Sequence, residues 1–174
     1  MTVSGILRYG FAGSAIILAG LQFVPSELPP SSPRPASDLL GSGVIPDDVA
    51  SMLKTSCYDC HSVETRYPWY SHVAPVSWLV AKDVREGREE LNFSDWSTLS
   101  RRKKVSRLED IKEMVAEGDM PMPIYLALHW DARLTDTQRQ RLADWSNALQ
   151  DQVISEPEPE EEEEEEEDED EEES

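Results

Sequence analysis

The chain has 174 residues, 36 of them acidic and 16 basic, for a net charge of −20. That length holds one domain plus appendages, and the charge argues against a nucleic-acid ligand. Sixteen acidic residues and no basic one fall in 156–173, so the remainder is only mildly acidic, near −4.

Read in chain order, Val3 to Val24 carry one charge, Arg8, among apolar and small residues. Residues 1–24 are expected to be a signal-anchor, a transmembrane segment with its N-terminus in the cytoplasm. The rest of the chain then lies in the periplasm, held at the inner membrane. The alternatives are a cleaved signal, which leaves a soluble periplasmic protein, and a buried core helix. Residues 25–43 contain Pro25, Pro29, Pro30, Pro33 and Pro35 with several serines. This composition predicts an extended linker that holds a domain off the membrane.

The folded domain is expected over 44–150. Pro46, Asp47 and Asp48 suit a helix start, and Val49, Met52 and Leu53 give it an apolar stripe leading into residues 57–61. Residues 62–73, with Tyr67-Pro68-Trp69-Tyr70, read as an aromatic loop. A second helix is predicted from Pro75 to Leu91, followed by a short turn with Ser94 as candidate cap. Val105, Leu108, Ile111 and Val115 mark a third helix over 100–117, with Gly118 as its terminator. Residues 119–134 form a loop containing Met120-Pro121-Met122-Pro123. Thr135 and Gln138 make a capping box for the last helix. No segment alternates as a strand does, so the fold class is all-α, with about four helices. Residues 151–174 are expected to form a disordered acidic tail, which either keeps the chain soluble or steers it to a basic partner.

Cys57-Tyr58-Asp59-Cys60-His61 is the C-x-x-C-H attachment signal for haem c. Thiols at i and i+3 share a helical face and can each bond one haem vinyl group. The histidine at i+4 stays on that face as an iron ligand. Cys57 and Cys60 are the only cysteines in the chain. In an exported chain a lone C-x-x-C can instead form a disulfide, but His61 tilts the reading toward haem. Four side chains compete for the second axial position: Met120, Met122, His72 and His129. A thioether opposite a histidine is the ligand set of electron-transfer cytochromes. Core filling is the alternative for each methionine. Trp69 and Tyr70 are the aromatics expected nearest the haem, with Trp78, Trp96 and Trp145 as further candidate walls. Arg66, Arg85 and Arg88 are candidate donors to the haem propionates. Arg101-Arg102-Lys103-Lys104 with Arg107 is read as a solvated helix face, or else as a site for the acidic tail, a partner or anionic lipid.

From Cys57 to Trp96 the strings CYDCHS, PWYS, APVSWLV and LNFSDW resemble the bacterial haem-binding domain family of small exported monohaem proteins. The resemblance continues through GDMPMPIY and covers roughly residues 40–150. It implies a small cytochrome c-like fold around one covalent haem, with Cys57 and Cys60 as attachment points, His61 as proximal ligand and Met120 as distal ligand. The Met-Pro stretch before a final helix with Trp145 is also similar to the C-terminal half of class I cytochromes c, which implies Met120 as the better match and Met122 as the second choice. The expected function is a monohaem c-type cytochrome passing single electrons between exported redox partners. The alternatives are a haem enzyme or sensor with an open sixth iron site for peroxide or a diatomic gas, and a haem-free thiol-redox or zinc protein.

Overall fold

A computed structural model describes residues 3–43 and 45–157. Among the described residues every regular element is helical. Helix α1 spans Val3–Leu21. No helix among the described residues is long and apolar enough to cross a membrane. The expectation of a membrane-spanning helix in 1–24 is therefore not supported.

Helix α2 (Asp47–Ser56) begins after Pro46 with Asp47 and Asp48 in its first turn, where their charge meets the positive end of the helix dipole. It buries Val49, Met52 and Leu53. The chain kinks at Cys57 (φ −127°, ψ −39°) and resumes as the single turn α3 (Tyr58–His61). The helix expected to run unbroken into the cysteine motif is thus two pieces. The kink accompanies burial of Tyr58, whose ring stacks on Phe93 at 5.1 Å.

Helix α4 (Val76–Glu90) packs against α3. A 3-10 segment, Phe93–Thr98, follows it. Its cap is Asn92, whose side chain accepts from the Ser94 amide, so Ser94 is not the cap. Ser94 is instead fully buried. Helix α5 (Arg101–Glu117) starts at Ser100, whose hydroxyl accepts from the Lys103 amide, and ends at Gly118 in the left-handed region (φ 88°). The stretch 119–134, expected as plain loop, contains the one-turn helix α6 (Pro123–Leu126) and a 3-10 turn, Trp130–Ala132. Helix α7 (Asp136–Ser155) opens with the full Thr135–Gln138 capping box. It runs five residues past the expected domain end at 150. The tail beyond 157 lies outside the described residues.

The core is built where α5 lies along α7 and α7 closes on α2. Leu53, Leu108, Ile111, Val115, Leu142 and Trp145 meet there. Burying each large apolar side chain contributes about 1.5–3 kcal/mol.

The proline-rich stretch 25–43 is bonded along the domain and does not stand off from it. Gln22 exchanges side-chain hydrogen bonds with both backbone groups of Ala74. Ser31 Oγ donates to Thr65 O, and the Ser32 amide to Val63 O. Tyr67 donates to Pro29 O, and Arg88 to Pro30 O. Within the stretch, Asp38 is 2% exposed. Its carboxylate accepts from Tyr58 Oη at 2.9 Å, Ser94 Oγ at 3.2 Å and the Leu40 amide at 2.9 Å. Arg34 adds an ion pair at 3.4 Å, and a buried charge needs such partners. Prolines offer carbonyls but no amides, so they suit a belt that accepts hydrogen bonds from the domain beneath it.

Candidate functional site

Cys57, Cys60 and His61 lie where α2 ends and α3 begins, backed by α4. His61 Nδ1 lies 2.8 Å from Gly87 O and 3.0 Å from Leu91 O. Carbonyl oxygens only accept, so Nδ1 carries the proton and donates. Nε2 keeps its lone pair and has no hydrogen-bond partner among the described residues. A histidine whose other nitrogen is tied to backbone is oriented as a metal ligand. Burial lowers the His61 pKa, more than its two hydrogen bonds raise it, which keeps the ring neutral. The ring also meets Phe93 edge-on at 6.2 Å.

Two adjoining cavities open from this motif. The larger, about 530 Å³, is lined by Cys57, His61, Leu53, Phe93, Ile111, Met114 and Met120 among others. The smaller, about 230 Å³, is lined by Cys57, Cys60, His61, Gly87, Met120 and Met122. Both thiols are free. Burial pushes the Cys57 thiol up to about 12, and burial followed by the Asp59 and Asp83 charges pushes Cys60 up to about 12. A disulfide-exchange catalyst needs a depressed thiol pKa, so these cysteines are poorly poised for that chemistry. Among the described residues no group of three or more His, Cys, Asp or Glu side chains is arranged to hold a metal ion.

Met120 lines both cavities, and Met122 lines the smaller one and a third, minor cavity beside it. The Met120 carbonyl and the Val115 carbonyl both accept from Arg139 Nη1 at 2.9 Å. The Met120 amide donates to Met114 O at 3.1 Å. The Met-Pro loop is therefore tied to the end of α5 by α7.

The aromatic expectations divide. Trp69 is 78% exposed and lines none of these cavities, since its 3-10 turn (Trp69–His72) turns it outward. Tyr70 lines the minor cavity with Cys60 and Met122. Its hydroxyl hydrogen-bonds His129 Nε2. Trp96 and Trp145 are core residues. Phe93 and Tyr125 hold the wall positions that Trp69 was expected to hold. Tyr125 stacks on His129 at 4.0 Å and donates to Asp59 Oδ2 at 3.3 Å. His129 is thus engaged by two tyrosines, and His72 lines only a separate polar hollow under Gln22. Neither histidine shares a cavity with His61.

The three arginines expected at propionates are committed elsewhere. Arg66 holds Asp59 through two nitrogens, each at 3.1 Å, and Arg88 binds Ser62 O, Pro30 O and Thr65 Oγ1. Arg85 reaches Glu27 O at 3.4 Å.

Sequence reasoning gave Gly87 no structural role. A Cβ placed there would sit 3.0 Å from Cys60 O and 3.3 Å from Cys60 Cβ. A side chain at 87 would press on Cys60, so glycine favours the close approach that brings the Gly87 carbonyl to His61. No local pattern marks such a residue, because the constraint comes from an element 27 positions upstream.

A family model described as haem-binding domain matches residues 16–148. The chain belongs to the haem-binding domain family. This member therefore binds haem and its iron, and the donor set of two thiols, an unpartnered imidazole nitrogen and a thioether fits that group. Among curated proteins it is similar to the cytochrome c peroxidase Ccp of Escherichia coli (strain K12), 26% identical over 148 residues. That match covers 82% of this chain and 32% of the relative, so the chain spans about a third of that protein's length. No solved structure matches this member of the family.

Proposed function

We propose that the chain is a monohaem c-type cytochrome that exchanges single electrons with partner proteins. The observation that carries the reading is His61: Nδ1 is pinned by Gly87 O and Leu91 O, Nε2 is left without a partner, and Met120 lines the same cavities. In this reading Cys57 and Cys60 bind the haem covalently, His61 ligates the iron and Met120 is the second ligand. Bound haem supplies a one-electron couple. The chain's own part is to shield it, fix its ligands and tune its potential. Apolar walls such as Leu53, Phe93 and Ile111 exclude water, and a thioether ligand raises the potential.

Covalent attachment through C-x-x-C-H takes place outside the bacterial cytoplasmic membrane, so the domain is assigned to the periplasm. Cell fractionation tests this, and the mass of the mature protein tells whether α1 is retained. A partner with a basic docking face is favoured by Asp59, Asp83, Glu86 and Glu90 around the smaller cavity and by exposed Trp69, Ile124, Leu128 and Trp130. The acidic run 156–173 would add long-range steering. Deleting it should slow electron exchange at low salt and have little effect at high salt.

The similarity to a cytochrome c peroxidase favours a second reading, an open sixth iron site acting on peroxide. The optical spectrum separates the two. A low-spin reduced spectrum with the weak long-wavelength band of iron–thioether bonding in the oxidised form supports the carrier. A high-spin spectrum rejects it in favour of an open site. Haem removed by acid-acetone extraction rules out covalent attachment.

A further inference from the structure

We infer that Arg107, on the α5 wall of the larger cavity, is the subsite for the carboxylate edge of the haem, the propionates. The inference rests on the reading that haem occupies this cavity. Haem is an apolar plate with vinyl groups toward one edge and two carboxylates at another. Cys57 and Cys60 take the vinyl groups, so the carboxylates face a wall that carries no cysteine. Helix α5 provides such a wall, with Ile111, Met114 and Val115 for the plate and one cation.

Among the residues lining the two cavities, Arg107 is the single lysine or arginine. The other arginines of the neighbourhood are spent on Asp59, on the proline-rich belt and on the Met120 carbonyl. Arg107 is a third exposed, and only Nη1 is engaged, at 3.2 Å from Asp110 Oδ2 and 3.7 Å from Glu90 Oε2. Its Nε and Nη2 have no partner among the described residues. A guanidinium has five N–H donors in a planar fork, so those two nitrogens can take a carboxylate while Nη1 keeps Asp110. Glu90 and Asp110 are 80% and 51% exposed, so solvent screens much of their charge at this rim.

A cation beside the haem favours the reduced form, which carries one positive charge fewer on iron. Arg107→Gln should keep covalent haem and the wild-type ligation spectrum but lower the midpoint potential. Arg107→Lys should recover part of the shift, because it restores the charge without the fork. Arg102→Gln, at an exposed cation on the same helix, should leave the potential where it was. As a second readout, the propionate bending band in resonance Raman should move between wild type and Arg107→Lys, which applies even if the glutamine variant fails to fold. An unchanged potential in Arg107→Gln, or an unmoved band in Arg107→Lys, overturns the assignment. A wild-type protein without haem would reject the functional reading and this inference with it. A haem-loaded wild type with insensitive Arg107 variants would reject this inference alone.

Discussion

Gly87 packs closely over Cys60: a methyl group at 87 would lie 3.0 Å from the Cys60 carbonyl oxygen. In an ordinary helix interior, Gly→Ala gains about 1 kcal/mol. Here the nearest atoms belong to rigid main chain, and overpacking costs about 1–3 kcal/mol. Gly87→Ala should therefore be net destabilising and should pull the 87 carbonyl from His61 Nδ1. A lower denaturant midpoint together with altered iron-ligand bands in the spectrum is the expected result. A stabilised variant with an unchanged spectrum would show that α4 moves freely.

Asp38→Ala removes the shared acceptor of Tyr58, Ser94 and Leu40. Each buried polar group left unsatisfied costs about 1–3 kcal/mol. A loss of about 2–4 kcal/mol is expected in urea unfolding, read as a lower midpoint at constant slope.

Cys57→Ala and Cys60→Ala should each leave at most one thioether link, so stable haem attachment falls and folding with it, since a small core leans on what it binds. Haem staining after denaturing electrophoresis reads the first effect and circular dichroism the second.

Met120→Ala should leave haem attached but lower its potential or open the iron to added ligands, whereas Met122→Ala should change neither. The opposite pattern would move the ligand to Met122. Arg139→Gln, which frees the Met120 carbonyl, should weaken the same spectral band in part.

The Asp48 carboxylate is held below its usual range by its hydrogen bond to Arg141, which links α2 to α7. A depressed carboxylate stabilises the fold above its unfolded value, about 4, and loses that effect as pH falls through its folded value. Asp48→Asn should flatten the acid side of the stability curve slightly, as befits an exposed pair.

The structure gathers Cys57, Cys60, His61 and Met120 around adjoining cavities, a grouping the sequence suggested because a C-x-x-C-H string has fixed spacing and few residue types can ligate iron. Gly118 and Thr135–Gln138 were legible because helix ends are decided within a few residues. Asp38 was not, since it looked like one more polar residue in a proline-rich spacer until Tyr58 and Ser94, 20 and 56 residues away, were brought to it. Trp69 misled for the opposite reason. An aromatic next to a haem motif suggests a wall, but a 3-10 turn decides which way it faces.

The proline-rich belt sets where the folding unit begins. A shortened chain starting at residue 45, just ahead of α2, would keep the cysteine motif and every helix of the core. It would also strip Tyr58 Oη and Ser94 Oγ of their acceptor and leave the Thr65 and Val63 carbonyls without their donors. A fragment that keeps all of these bonds and those of Gln22 to Ala74 has to start no later than Gln22, well before any residue that faces the cavities.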